Sequence, residues 1–223
     1  MGVKQRRESP IFGLKNFNNW VKSVLIHKFA HGPLEDSNAV LPSARGALQG
    51  RVLDIGCGKG GDLQKWAKAR IKDYVGVGEG CFSPRSFLLR FLTYSATDIA
   101  TMSIIQANNR WNELKVDRFD AWFSQLDAYH YPLDNAASLP PEALSRGFDV
   151  VTMQFCMHYA FETQEAVHQM LDNVARYLRK GGRFIGTIPD ETFLMYVRLF
   201  STITLSPSLL FLSYAVLTTG RGR

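Results

Sequence analysis

The sequence predicts an α/β fold built on a parallel sheet, and three observations carry that expectation. Short apolar runs alternate along the chain with stretches of helical periodicity, the order that yields strand, crossover helix and parallel strand. One of these runs, RVLDI at 51 to 55, stops at a cluster of glycines just before a helix-forming stretch, as a buried parallel strand does. With 223 residues, 46% of them hydrophobic and 21% charged, the chain can bury a sizeable core and is neither disordered nor collagen-like.

The elements follow in order. Residues 16 to 29 (NFNNWVKSVLIHKF) predict a helix with Phe17, Val21, Val24 and Leu25 on one face and Asn18, Asn19, Lys22 and Ser23 around the other. Residues 30 to 50 read as a Gly/Pro/Ser-containing connection. The strand at 51 to 55 is followed by a helix over 62 to 70 and a second strand over 73 to 77. Further strands are expected at 121 to 125, 148 to 154 and 183 to 188. Between the last two, residues 163 to 178 place Ala166, Val167, Met170, Leu171, Val174 and Leu178 on one helical face, with Gly181 and Gly182 as the stop.

Charge and cysteines narrow the class. A net charge of +6 and a pI near 9.3 favour an anionic partner such as nucleic acid or a membrane surface. Cys57, Cys81 and Cys156 form no CxxC pair, which excludes a disulfide framework and a cysteine-rich zinc site and fits a reducing compartment. The N-terminal stretch lacks the apolar core of a secretory signal. Residues 199 to 217 carry no charge and are long enough to cross a bilayer, but seven Ser, Thr and Pro residues from Ser201 to Ser213 dilute them, so no anchor is expected. His27 and His31 read as a solvated helix face without a third metal ligand, and Asp134 has no evident role.

The most informative run is VLDIGCGKGGD at 52 to 62. Glycines at 56, 58 and 60 let the chain turn sharply from strand to helix and let a ligand approach bare main chain. The spacing is GxGxG, not the dinucleotide fingerprint, and Asp54 and Asp62 flank it. Carboxylates there would repel a pyrophosphate but suit the amino and sulfonium groups of S-adenosylmethionine. A dehydrogenase is disfavoured on the same ground.

Four segments carry a resemblance to a known family: FNNWVKS (17 to 23), VLDIGCGKGGDLQKW (52 to 66), MQFCMHYAFE (153 to 162) and GGRFIGTIPD (181 to 190). Together they resemble the eukaryotic mRNA cap guanine-N7 methyltransferases over residues 10 to 77 and 98 to 190. The resemblance implies a class I methyltransferase (Rossmann-like) sheet flanked by helices, with its last strands missing or improvised. It implies S-adenosylmethionine as methyl donor, capped mRNA as substrate, the capping enzyme and transcription machinery as partners, a nuclear location and no metal. On it, Lys22, Gly56, Asp62, Asp98, Asp127, Gln154 and Tyr159 match cofactor positions, and Asn18, Phe155, His158, Tyr159 and Pro189 match cap positions. Without it, His158 and Tyr159 would read as a core histidine and a packing aromatic. Guanine N7 already presents a lone pair, so no general base is expected, only positioning and electrostatics. The basic residues Lys4, Arg6, Arg7, Lys15 and Lys22 are candidates for RNA phosphates.

Two departures qualify the resemblance. After YVGV at 74 to 77 the family pattern continues with an acid that takes the cofactor ribose, whereas here residues 78 to 97 intervene before Asp98. The block reads as an insertion, with Asp98 reaching the ribose on a looped-out segment, Glu79 substituting, or the cofactor site damaged. After Asp190 the chain offers no match to the further acid and aromatic expected around the guanine, and Glu191 does not take that acid's place. The expected division is therefore an N-terminal segment at 1 to 50, a methyltransferase core at 51 to 190 and a hydrophobic tail at 191 to 223. Two other functions stay open: an inactive fold that only binds, and a methyltransferase for another substrate.

Overall fold

The computed structural model describes residues 11 to 34, 50 to 78, 96 to 115, 119 to 189 and 212 to 218. Its helices are α1 (Ile11–Leu25), α2 (Leu63–Lys68), α3 (Ala96–Asn112), α4 (Pro141–Ser145) and α5 (Gln164–Tyr177). Its strands are β1 (Arg51–Ile55), β2 (Asp73–Gly78), β3 (Asp120–Gln125), β4 (Phe148–Gln154), β5 (Leu178–Pro189) and β6 (Leu212–Thr218). The sheet order is β3-β2-β1-β4-β5-β6. All neighbours are parallel except β6, which runs antiparallel to β5 with Ile185 opposite Val216. The chain reverses direction across the sheet between β1 and β4, so the loops after these two strands lie side by side, where open α/β sheets bind ligands.

Adjacent strand residues feed opposite faces, as the two-residue period of a strand requires. Val52, Tyr74, Val150 and Ile185 join Trp66, Ile71 and Phe119 on one face, beneath α1, α2 and α3. Leu53, Val75, Val151 and Phe184 join Met170, Val174 and Tyr177 on the other, beneath α4 and α5. Burial on both faces explains the consecutive apolar residues Val52-Leu53, Val150-Val151 and the Val75 and Val77 pair, while buried polar residues such as Arg51, Asp54, Asp73, Asp149 and Thr152 sit among them.

A buried arginine ties the strand starts together. Arg51 donates through its backbone N to Asp149 at 2.6 Å, through Nε to Asp73 at 2.8 Å, and through the rest of its guanidinium to the carbonyls of Gly147 and Ala143. Arg183 donates to the Phe29 carbonyl and Arg179 to that of Pro33, which docks the end of the first helical segment across the sheet.

Three expectations need correction. α1 continues beyond Leu25 as a wider π turn, Ile26–Ala30, which rotates the following side chains. Leu25, as expected, and also Ile26 and Ala30 are buried, whereas Val24, expected on the apolar face and lying before the π turn, is exposed. α5 ends at Tyr177 and Leu178 already opens β5, so Gly181 and Gly182 lie within the strand and are not the helix stop. On α5, Asn173 and Tyr177 are buried instead of Leu171, because Asn173 accepts from the Leu133 amide and donates to the carbonyls of Ala128 and Tyr131.

The sequence reading had no element where α3 lies, and β6 forms inside the run considered as a membrane span. No helix among the described residues is long and apolar enough to cross a membrane. Glu79, Lys4, Arg6 and Arg7 lie outside the described residues.

Candidate active site

The site is built from the ends of β1 and β4 with α1 laid across them. At the end of β1, the Gly56 and Cys57 amides both donate to the Val77 carbonyl, at 2.7 and 3.1 Å, which turns the chain sharply onto the tip of β2. Gly56 has φ +81°, and a Cβ there would lie 2.4 Å from Cys156 Sγ. Gly58 has φ +51°, and a Cβ there would meet nothing within 4 Å. Gly58 is thus the loop position with open space above bare main chain, while Gly56 is packed against the β4 loop. This corrects the expectation that a side chain at Gly56 would intrude on the ligand directly.

The two loops are stitched together. Cys156 Sγ donates to the Ile55 carbonyl, the Tyr129 hydroxyl donates to the Cys156 carbonyl at 2.8 Å, and the Phe155 amide donates to Thr187 Oγ1 at 2.6 Å. Held this way, Phe155 adopts φ +62°, which costs a side-chain-bearing residue of order 1–2 kcal/mol. Strain of this kind persists where surrounding contacts over-determine it, and here it aims the Phe155 ring at α1, where Lys22 Nζ sits 5.4 Å from its centroid.

Lys22 also forms an ion pair with Asp62 Oδ2 at 2.7 Å, and Lys65 pairs with Asp62 Oδ1 at 2.9 Å and donates to Asn19. The buried Asp62 carboxylate is therefore already met by two ammonium groups. Asp54 is equally buried and accepts from the Tyr74 hydroxyl at 2.7 Å. Burial, reinforced by the nearby Asp62 carboxylate, raises its pKa to about 7. The glycine loop is therefore not the pair of bare carboxylates that the sequence suggests: one acid is neutralised by lysines and the other is partly protonated at neutral pH.

Among the described residues, Asn18 Oδ1 on α1, Gln154 Oε1 at the end of β4 and His158 Nδ1 in the 3-10 turn Met157–Glu162 are buried without a hydrogen-bond partner, as are Trp66 Nε1 and Ser124 Oγ. Buried polar atoms are nearly always satisfied, so the first three, carried by α1 and the β4 end, are candidates to meet a polar ligand. Gln154 uses its amide NH2 on Thr152 Oγ1, which leaves the carbonyl to accept. Burial lowers the His158 pKa, so the ring is neutral at neutral pH. It lies 4.2 Å from the exposed ring of Tyr159, whose face is open for stacking.

The structure ties Lys22 to Asp62 and to the Phe155 ring and packs Gly56 against Cys156, with Gln154, His158 and Tyr159 on the β4 end and the turn after it and Asn18 one helical turn before Lys22. Asp127 stands apart at the end of β3, where its Oδ1 accepts from the Tyr129 and His130 amides and its Oδ2 meets His130 Nδ1 at 2.8 Å. Asp98 falls in the first turn of α3 and Pro189 at the end of β5, each placed by backbone alone. Sequence reasoning assigned no role to Tyr74, Lys65, Cys156 and Thr187; the first two sit one strand or one turn from the flanking acids, and the last two lie inside the quoted segments MQFCMHYAFE and GGRFIGTIPD. Asp134, without a role in the sequence reading, accepts from the Tyr177 hydroxyl at 2.6 Å and pairs with Arg176, away from this edge. Among the described residues no cluster could hold a metal ion.

Comparison with known proteins fits this geometry. The family model described as the mRNA (guanine-N(7))-methyltransferase domain matches residues 1–83 and 89–204. The mRNA cap guanine-N(7) methyltransferase of Cryptococcus neoformans var. neoformans serotype D (strain JEC21) is 44% identical over 195 residues, covering 87% of this chain and 26% of that protein. The Schizosaccharomyces pombe protein of the same name is 44% identical over 191 residues, covering 86% of this chain and 43% of its own length. Among solved structures, the plantazolicin methyltransferase BpumL in complex with SAH aligns over 89% of this chain and 59% of its own, at 16% identity and a TM-score of 0.45. The chain spans less than half the length of these two curated relatives. With a single family model matched along most of its sequence, the chain belongs to the mRNA (guanine-N(7))-methyltransferase domain family.

Proposed function

We propose that this chain transfers a methyl group from S-adenosylmethionine to N7 of the terminal guanine of capped RNA. The observation that carries the reading is the trio of unpartnered buried atoms, Asn18 Oδ1, Gln154 Oε1 and His158 Nδ1, beside an exposed aromatic face at the switch point of the sheet. The residues fit the methyl donor: Gln154 Oε1 is available to accept from a ligand, and Gly58 leaves main chain uncovered next to the Lys22, Asp62 and Lys65 cluster. When bound, S-adenosylmethionine supplies the methyl group as an electrophilic sulfonium carbon. Asn18, Phe155, His158 and Tyr159 would then hold the guanine, with Pro189 at the rim. Asp98 and Asp127 would complete the cofactor side.

No proton has to be removed from guanine N7, which attacks with its own lone pair. What the chain contributes is alignment of that lone pair with the methyl carbon and an environment that accepts the positive charge as it moves onto the base. A neutral His158 serves this better than an imidazolium, which would oppose that charge. Capped mRNA as substrate, the capping and transcription machinery as partners, a nuclear location and the division at residues 50 and 190 belong to the same reading.

Calorimetric titration tests it. S-adenosylhomocysteine and a cap dinucleotide should both bind the parent chain. Gln154→Ala should weaken the first, and Asn18→Ala or His158→Ala the second, by about 1–3 kcal/mol each, the cost of leaving a designed polar contact unmade. Unchanged affinities in all three variants would remove these atoms from the site.

A further inference from the structure

On the side of the sheet covered by α1 and α3, two grooves share Gly61, Gln64 and Lys68 as a common wall. The first, about 430 Å³, runs between α1 and α2 from Asn19 past His27 and His31. The second, about 670 Å³, continues between α2 and α3 beside Arg110 and Lys115. Together they form one valley that begins at Asn19, next along α1 to Asn18 of the proposed cap contacts, and beside the Lys22–Asp62 pair of the proposed cofactor side: Lys65, which lines it, bonds both Asn19 and Asp62.

The valley is electropositive. Lys65, Lys68, Arg110 and Lys115 line it against one carboxylate, Glu113, and Lys68, Arg110 and Lys115 are exposed. No Phe, Tyr or Trp is among its lining residues, and its two imidazoles, His27 and His31, pack edge to face on each other with centroids 4.8 Å apart. Cations with so little stacking surface suit a phosphodiester backbone read independently of sequence.

We propose that this valley carries the phosphates of the single-stranded RNA body downstream of the cap. The proposal rests on the cap-methyltransferase reading, which supplies a reason for RNA to leave the site at Asn19. Continuity with that site and the setting of the cations in a concave groove favour a polynucleotide over an acidic protein segment or a lipid surface.

The test measures binding of a short, uncapped, labelled single-stranded RNA by fluorescence anisotropy across a salt series. The variant Lys68→Gln/Arg110→Gln/Lys115→Gln is compared with a charge-matched control on other surfaces, Arg146→Gln/Arg176→Gln/Lys180→Gln, after circular dichroism shows that both fold. Removing three phosphate contacts should make the slope of log K against log salt shallower by about 2 and weaken binding about a hundredfold near 0.1 M salt. The control should bind like the parent. Equal binding by the valley variant, an equal loss in the control, or no binding of uncapped RNA by the parent would each overturn the proposal. Cap-dinucleotide affinity is read separately. Its absence from a parent that still binds RNA through the valley would sink the cap reading and leave the valley standing as an RNA site.

Discussion

Replacing Gly56 by alanine should destabilise the protein by about 2–5 kcal/mol, through Cys156 and not through any ligand. Two costs add. At φ +81° a residue with a Cβ is strained by roughly 1–2 kcal/mol. The new Cβ would also stand 2.4 Å from Cys156 Sγ and 2.9 Å from Cys156 Cβ, and overpacking of this kind costs about 1–3 kcal/mol. Sulfur cannot simply swing aside without losing its hydrogen bond to the Ile55 carbonyl. Urea unfolding of the parent, Gly56→Ala, Cys156→Ala and the double variant reads both contributions. Since Cys156→Ala removes the sulfur but not the strain or the Cβ contact, the double variant should be more stable than the sum of the singles predicts, by about 1–2 kcal/mol. Cofactor affinity should fall in Gly56→Ala and recover in part in the double variant. A Gly56→Ala stability within about 0.5 kcal/mol of the parent, or strict additivity, would refute the reasoning, since contacting residues normally couple by more than that.

Other consequences follow from the same geometry. Asp54 holds its proton up to about 7 in the folded chain, against 3.8 as its ordinary value, so between these pH values the folded state binds more protons and stability falls as pH rises. Asp54→Asn should flatten that fall, which amounts to about 4 kcal/mol at most, and urea midpoints at pH 5 and pH 8 show whether it does. His158, with its pKa lowered by burial, should leave methyl transfer unchanged as pH falls from 8 to 6.5, with loss only below; a decline already centred above 6.5 would mean the ring is not neutral in the site. Deleting residues 78 to 97 would put Asp98 at the tip of β2, where a side chain at position 78 meets the flexible end of Ile104 and, at 3.5 Å, Cys57 Sγ. Calorimetry should then show cofactor affinity raised roughly tenfold to hundredfold, the worth of one charge-assisted contact to a ribose hydroxyl, and unchanged affinity would remove Asp98 from the account.

How much of this was legible in the sequence depended on whether one residue type answered one local demand. β1, β2 and β4 could be read because strands buried on both faces carry consecutive apolar residues, and Gly56 and Gly58 because a β-to-helix turn with positive φ selects glycine. The face of α1 was misjudged at Val24, because the buried side is centred on its neighbours Leu25 and Ile26, and the π turn at Ile26–Ala30 breaks the 3.6-residue period beyond them. α3 was missed because its first two residues, Ala96 and Thr97, fall in the block that was read as an insertion. In the site, Lys22, Gln154 and His158 were legible only through the family motif, as no short-range rule singles them out. The charge state of the glycine loop was not legible at all. Asp54 and Asp62 look alike in the sequence, yet one is neutralised by Lys22 and Lys65 from different helices and the other is buried against Tyr74 of the next strand.

The central claim is tested most directly by identifying the methylated product. The chain would be incubated with S-adenosylmethionine labelled in its methyl group and with RNA ending in an unmethylated guanosine cap, and the digested RNA resolved by chromatography. The account predicts label in 7-methylguanosine at the cap, with none on ribose or internal bases, and loss of that label in His158→Ala. Label on any other atom, or no transfer by a chain that binds both ligands, would contradict it.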